Sequence, residues 1–402
     1  MTAPERSGPL AGLRVIEAGQ LIAGPFCGQL LGDFGAEIIK IEPPGSGDPL
    51  RSWRRMEGGG PSLWWPIIAR NKKSITLDLR QTAGQELARR LIANADVLIE
   101  NFRPGTMEKW SLGYEGLAAA NPRLVMARMS GFGQTGPYSQ QAGFGSIGEA
   151  MGGLRYVTGY PDRPPSRVGI SIGDSLTALF GALGVLSALL ARERSGRGQM
   201  VDAALYESVL GIMECLVTEF QQTGQVRERS GPTLPGVAPS NVYACADGIS
   251  VVIGANGNSV FARLCQAMSQ PELASPGRFD TDEKRGALQD ELDRIISEWT
   301  VRLPSASVLT LMRQFAVPAG LIYRAPEMLA DPHFAARSAI IDVRDALLGT
   351  IKMQGVFPRL SATPGEVRWS GPTLGQHNEE IYRGLLGISA AELEDLQQSN
   401  VI

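Results

Sequence analysis

A parallel α/β sheet with covering helices, joined to a smaller α+β region, is the fold class that this 402-residue sequence predicts. Three observations point there. Short aliphatic runs alternate with helical patterns from Leu13 to Ser130, the signature of βαβ units. A polar, Gly/Pro-bearing stretch over residues 223–240 then interrupts the chain, and a fresh strand–helix pattern begins at Asn241. The length exceeds one small core and suggests two domains, or one large unit with an insertion.

Leu13-Arg-Val-Ile-Glu17 reads as the first strand and Ala18 to Gly24 as a loop. Pro25 stands where a fixed φ suits a first helical turn. A helix over Phe26–Asp33 ends near Gly35, and Ala36–Glu42 gives the second strand before Pro43-Pro-Gly-Ser-Gly-Asp48 breaks the chain. Ser74–Asp78, Asp96–Glu100 and Leu124–Ser130 follow as strands, with a helix over Gly84–Ala95. Val168-Gly-Ile-Ser-Ile172 is strand-like, and Asp174 stands just before a helix over Ser175–Arg194. That helix is apolar nearly all round, which predicts burial. Met200–Thr223 reads as its helical successor. In the smaller region Val242–Ala244 and Ile249–Gly254 flank Asp247-Gly248, a hairpin signal. Helices are expected there over Val260–Met268, Lys284–Thr300 and Ala306–Gln314, to about Ile322. After Asp331-Pro332 the pattern holds a strand or two and a closing helix from Ala390.

Charge is balanced, with 38 basic and 41 acidic residues, so no global field points to nucleic acid or anionic lipid. Arg, Glu and Gly interrupt each apolar run before the roughly 18–20 residues a membrane span needs. Met1-Thr-Ala-Pro-Glu-Arg-Ser7 has no apolar signal core, and a cytoplasmic protein is expected. Cys27, Cys215, Cys245 and Cys265 lie far apart without a Cys-x-x-Cys pair, and His333 and His377 are the only histidines. That set predicts no metal site and leaves no Ser-His-Asp machinery over most of the chain.

Asp174 admits two roles. An Asp at a helix start accepts from free N–H groups and complements the dipole, contributing about 0.5–2 kcal/mol. It can also be a nucleophile, since Gly173 and Ser175 leave room for a substrate carbonyl and helix-start N–H groups can stabilise an oxyanion. Residue physics alone favours the cap, and the roles are compatible. Glu42, closing the second strand, stands where a dinucleotide site would hold a ribose. Yet the loop Gly19-Gln-Leu-Ile-Ala-Gly24 lacks the Gly-x-Gly-x-x-Gly that lets backbone approach a pyrophosphate. Arg103 and Lys109, after the strand ending at Glu100, are phosphate ligands or solvated loop cations. Lys72, Lys73 and Arg80 pose the same choice. Trp64 and Trp65 suit packing, and Gly254-Ala-Asn-Gly-Asn258 is a turn or a flap with glycine hinges.

Taken together, several segments closely resemble the class III CoA-transferase family of formyl-CoA and carnitine CoA-transferases. They include Pro9-Leu-Ala-Gly-Leu-Arg-Val, Ala23-Gly-Pro, Leu31-Gly-Asp-Phe-Gly-Ala-Glu-Ile-Ile-Lys-Ile-Glu and Arg70-Asn-Lys-Lys-Ser-Ile. Glu100-Asn-Phe-Arg-Pro-Gly, Ser130-Gly-Phe-Gly-Gln-Thr-Gly-Pro, Gly196-Arg-Gly-Gln and Leu374-Gly-Gln-His add to them. The resemblance implies a large Rossmann-like domain over residues 1–222 and 326–402, a linker over 223–240 and a small α+β domain over 241–325. It also implies an interlocked homodimer. The family's nucleophilic aspartate matches Asp174, which reverses the preference for a mere cap. CoA, a substrate rather than a resident cofactor, is expected against Gln20, Ile22, Ala23, Leu77, Arg80, Asn101, Phe102, Arg103 and Lys109. Phe144, Gly254, Asn256 and Gly257 are assigned to the substrate side, the last three as a lid. A basic residue that some members place after the second strand, for the adenosine end, is Pro43 here.

The resemblance implies CoA transfer from an acyl-CoA to a carboxylic acid through an aspartyl anhydride and an aspartyl-CoA thioester. The short Gly254–Asn258 loop looks closer to members handling succinate or glutarate than to formyl-CoA/oxalate transferases. An α-methylacyl-CoA racemase of the same fold is the nearest alternative, but the histidine such enzymes place after the Gly-x-Gly-x-x-Gly-Pro segment is missing from Gln141-Ala-Gly-Phe-Gly145. A nicotinamide-dependent oxidoreductase and a silent CoA-binding protein are the others.

Overall fold

The structure, a computed structural model, describes residues 8–56 and 58–402. Met1–Ser7, and with them the expected absence of a signal core, lie outside the described residues. The chain forms two compact units. One holds the residues up to Arg155, Val168–Leu216 and His333–Ile402, and the other holds Tyr156–Arg167 and Val217–Pro332.

The first unit is built on six parallel strands: β1 (Arg14–Glu17), β2 (Glu37–Glu42), β3 (Lys72–Thr76), β4 (Val97–Glu100), β5 (Val125–Ser130) and β6 (Met200–Ala204). Their order is β3-β2-β1-β4-β5-β6, with Val15 beside Ile38 and Val97. Successive side chains leave a strand on opposite faces, so each run of aliphatics feeds two cores. Ile16, Ile39, Leu98 and Met126 pack with Leu87 and Leu91 of the helix Thr82–Ala93 and with Tyr382 and Leu393 near the C-terminus. Val15, Ile38, Val97 and Val125 pack on the other face with Leu31 of the helix Ala23–Asp33 and with Ala178 and Val185 of the helix Ile172–Ser195. Burial on both faces is why these strands read as continuous apolar runs.

Four expectations need correction here. Met200–Thr223 is not one helix: Gly196 caps the preceding helix at φ 70, Met126 N–H donates to Gln199 O, and Met200–Ala204 joins β5 as the sixth strand. Only then do the helices Leu205–Leu210 and Leu216–Thr223 follow. The Val168–Ser171 run is not a strand, and the helix begins at Ile172, so Asp174 lies inside its first turn rather than before it. Finally, this helix is not buried all round. Leu179, Leu183, Leu186 and Leu190 form a stripe at helical spacing and are 42–65% exposed. Its length and apolarity also meet the requirement for a membrane span, contrary to the reading that no run does.

The edge of β3 is covered by the C-terminal segment. Trp369 Nε1 donates to Lys72 O, Tyr382 Oη donates to Thr76 O, and Asn378 Oδ1 accepts from Thr76 N–H. Such cover protects an edge from further pairing. An antiparallel hairpin of β10 (Ile340–Asp345) and β11 (Gly349–Gln354) supplies the strands expected after Asp331.

The second unit has three antiparallel strands, β7 (Ser240–Ala244), β8 (Ser250–Gly254) and β9 (Ala319–Leu321). Tyr243, Val251 and Ile253 pack on Phe261 and Leu264 of the helix Asn258–Ala267, on Leu292 and Ile296, and on Val308 and Met312. The expected helix Lys284–Thr300 breaks at Leu288, with φ −112 and ψ 28, into Asp282–Ala287 and Gln289–Thr300.

Candidate active site

Strand order reverses between β1 and β4, and in open α/β sheets ligands bind beyond the strand ends at such a point. The loop leaving β1 is gripped there by side chains. Asn101, just after β4, clamps Gln20: its Oδ1 accepts from Gln20 N–H and its Nδ2 donates to Gln20 O, both at 2.8 Å. Lys40 Nζ donates to Gly19 O at 2.8 Å and Lys72 Nζ to Pro25 O at 2.6 Å. Asp48 Oδ1 accepts from Leu21 N–H at 3.1 Å, holding Leu21 in the left-handed region at φ 63. The charges underneath are buried and mutually paired: Lys40 meets Glu17 and Asp48, and Lys72 meets Glu17. Burial alone would lower the Lys40 pKa, but Asp48 and Glu17 outweigh it and raise it above the ordinary lysine range.

Asp174 faces a cleft of about 160 Å³, whose wall includes Leu21, Ile22, Ala23, Asn101 and Phe144. The fit around the carboxylate is close. A Cβ on Gly145 would lie 2.1 Å from Asp174 Oδ2, so only glycine leaves the carboxylate its place. Gly131 and Gly143 cross so tightly in the same wall that a Cβ on Gly131 would sit 2.6 Å from the Gly143 Cα. The helix Ala23–Asp33 has no side-chain cap at Ile22, which leaves its opening N–H groups uncapped at the cleft wall. A half-buried carboxylate among small residues and uncapped N–H groups can attack a carbonyl and share the resulting negative charge.

A second hollow of about 300 Å³ lies over the ends of β2, β3 and β4, lined by Gln20, Pro43, Leu77, Arg80, Phe102 and Trp110 among others. Gln20 and Leu21, consecutive in one loop, thus line one hollow each. The fold therefore gathers Gln20, Leu77, Arg80 and Phe102 at one site and Ile22, Ala23, Asn101, Phe144 and Asp174 at the other. Arg103 and Lys109 are exposed and line neither. Arg80 is not an idle phosphate ligand, since Nε and Nη2 bond both Asp78 oxygens at 2.8 and 2.9 Å. Glu100, at the end of β4, pairs with Arg128 at 2.6 Å, yet burial pushes its carboxyl up to about 6. Glu42 is spent on structure: it takes Arg51 at 2.7 Å, Asp48 N–H and Ser74 Oγ, leaving no oxygen for a ribose. Trp65 packs in a small core, as its sequence context suggests.

Gly254, Asn256 and Gly257 lie in the second unit. Gly257 has φ −74 and Gly254 is not in the left-handed region, so neither position requires glycine for its backbone. The loop is tethered by Arg285, fully buried, which donates to Asn256 O and to Asn258 Oδ1 and stacks on Phe261. Sequence reasoning missed Arg285, and in the Asp174 cleft it missed Trp53, Met129, Gly145 and Leu205. Only Trp53 carried a signal, as an aromatic inside the polar run Arg51-Ser-Trp-Arg-Arg55.

With this geometry in view, the family model described as CoA-transferase family III matches residues 10–378. The chain belongs to that family and is a CoA-transferase. It is 60% identical over 394 residues to a succinyl-CoA–D-citramalate CoA-transferase of Chloroflexus aurantiacus, covering 98% of both chains. A succinate–glutarate CoA-transferase of Agrobacterium fabrum is 35% identical over 404 residues, again with 98% of both chains covered. Among solved structures, a CAIB/BAIF family protein from Brucella suis aligns with a TM-score of 0.82 and 35% identity, over 94% of this chain and 100% of that one. No histidine lines the Asp174 cleft of this family member, so a proton-moving reading finds no imidazole base there.

Proposed function

We propose that this CoA-transferase moves CoA from succinyl-CoA to a small dicarboxylic acid, with Asp174 as the nucleophile. One observation carries the reading: a carboxylate set among glycines and uncapped N–H groups in a cleft beyond the strand ends. The names of the Chloroflexus and Agrobacterium relatives, with succinyl-CoA and succinate, support the substrate class.

Each step conserves the thioester's energy. Asp174 attacks the succinyl carbonyl; the C–S bond breaks, giving a mixed anhydride and CoA thiolate. The thiolate attacks the Asp174 carbonyl, releasing succinate and leaving an aspartyl-CoA thioester. The acceptor carboxylate then displaces CoA thiolate from Asp174 to form a second anhydride. Attack of the thiolate on the acceptor acyl carbon yields the new acyl-CoA and regenerates the Asp174 carboxylate. The reactive anhydrides must be kept from water, and the Gly254–Asn258 loop is the candidate lid. CoA is read along the two hollows, its nucleotide end near Leu77, Arg80 and Phe102, with Arg103 and Lys109 in the solvent about it and Pro43 in place of a basic contact.

A second copy of the chain is the proposed cover for the Leu179–Leu190 stripe, and the second unit is read as the inserted small domain in a cytoplasmic homodimer. Hydroxylamine added during turnover should trap a hydroxamate at Asp174, located by peptide mass. Asp174→Ala should abolish transfer while CoA still binds; a fully active variant would sink the proposal.

A further inference from the structure

A dicarboxylic substrate carries a second carboxylate that stays ionised while the first reacts. Such an anion in a partly dry cleft needs a cation or several donors, yet no Lys or Arg lines the Asp174 cleft. Many basic side chains of the surrounding framework already have carboxylate partners. Lys40 and Lys72 are paired beneath the loop, Arg51 grips Glu42, Arg128 lies between Glu100 and Glu108, and Arg155 holds Glu149.

Arg54 and Arg55 differ. They directly follow Trp53, which lines the cleft, and hydrogen bonds fix the backbone around them. Ser62 Oγ donates to Trp53 O at 2.6 Å, Leu63 N–H donates to Arg54 O at 3.1 Å, and Arg55 forms an antiparallel bridge with Ser62. Both arginines are exposed, and among the described residues neither joins an ion pair. Arg54 is held in the left-handed region at φ 50, a conformation non-glycine residues enter at a cost and which concentrates at functional sites. Two consecutive arginines directly after a residue of a cation-free cleft supply the side-chain type whose planar fork matches a carboxylate.

We infer that Arg54 and Arg55 form the subsite for the second carboxylate of a dicarboxylic substrate, holding the far end of the chain while its near end meets Asp174. The inference rests on the CoA-transfer reading above and adds the residues that select the acid. Discrimination then comes from the charge of these two arginines, and a monocarboxylic acid of equal length forgoes that contact.

The test compares glutarate with valerate, a five-carbon pair differing in one carboxylate, as acceptors at saturating succinyl-CoA. In Arg54→Gln/Arg55→Gln the preference for glutarate, as a ratio of kcat/KM values, should fall at least about tenfold, the loss expected of one charge-assisted hydrogen bond. Arg54→Lys/Arg55→Lys should keep more of that preference than the glutamine pair. An unchanged preference in the glutamine pair, with the protein folded by circular dichroism, would overturn the inference. A separate readout needs no turnover: glutarate should shield Arg54 and Arg55 from phenylglyoxal, read by peptide mass, and valerate should not. Should the wild-type protein transfer no CoA at all, the catalytic reading fails, and equal labelling with and without glutarate would overturn the subsite as well.

Discussion

The loop Ala18–Pro25 of the first unit and the loop Gly254–Asn258 of the second both leave a strand end, pass through small residues and enter a helix. They are held in different ways. Around the first, Lys40, Asp48, Lys72 and Asn101 each grip the backbone of a different residue, and the charged ones neutralise one another through Glu17. Around the second, backbone bonds from Gly254 to Pro318 and from Ala255 to Pro239 hold its start, and one buried arginine bonds Asn256, Asn258 and the carbonyls of Ala238 and Phe279. A frame with four anchors from separate elements keeps its shape when one contact fluctuates. In the second loop only the exposed turn at Asn256–Asn258 depends on one side chain, the Arg285 guanidinium. The first arrangement fixes the cleft wall beside Asp174 from several sides; the second leaves the turn at Asn256–Asn258 resting on one guanidinium.

The comparison can be broken most directly at Lys40. Replacing it by Met strands Asp48 in the interior and leaves Glu17 with Lys72 alone, and breaking a buried pair in this way costs about 3–5 kcal/mol. Urea unfolding should show a large drop in midpoint, and an unchanged midpoint would mean the frame is not held by its charges. Arg285→Met is expected to cost less, about 2–4 kcal/mol for the carbonyls left without donors. Hydrogen exchange should then rise at 254–258 while the first unit stays protected; equal loosening of both would erase the contrast.

Glycines sharpen it further. Gly145→Ala pushes a methyl against the Asp174 carboxylate, and a misplacement of about 1 Å typically lowers kcat about 100-fold. Gly257→Ala meets no atom within 4 Å and keeps an ordinary φ, so stability should stay close to wild type. The mildest probe is His377, whose Nδ1 accepts from Ser74 N–H on β3. Burial holds its pKa below the usual 6.5, so the unfolded chain takes up the proton first as pH falls. Stability is full above about 6.5 and declines from there towards the depressed folded value. The loss should stay under about 1 kcal/mol because the ring is partly solvated. His377→Asn should remove this slope from melting curves taken between pH 7 and 5.

Legibility followed physical range. Aliphatic alternation marked β1, β2, β4 and β5 because pairing and burial act on consecutive residues. It failed at Met200–Ala204, where an apolar run follows a helix and only the proximity of β5 makes it a strand. It failed also at Lys284–Thr300, where nothing local announces the break at Leu288. In the site, Asp174 was legible as a carboxylate in a tight turn, and the family motifs marked Ile22, Ala23 and Asn101. Glu42 and Arg80 were legible only as charges, since the partners that occupy them, Arg51 and Asp78, sit on turns whose paths the sequence leaves open.

By itself the sequence determined the βαβ character of the first unit, the family, and the candidate nucleophile in Gly173-Asp174-Ser175. Those features depend on residue type and spacing along the chain. Tertiary structure decided the rest: that Asp174 stands within a helical turn against Gly145, that Asn101 is a clamp on Gln20, and that half of an apolar helix is uncovered in the single chain. The reason is that contact, burial and charge pairing join residues far apart in sequence. An apolar pattern states that a surface must be covered without stating what covers it.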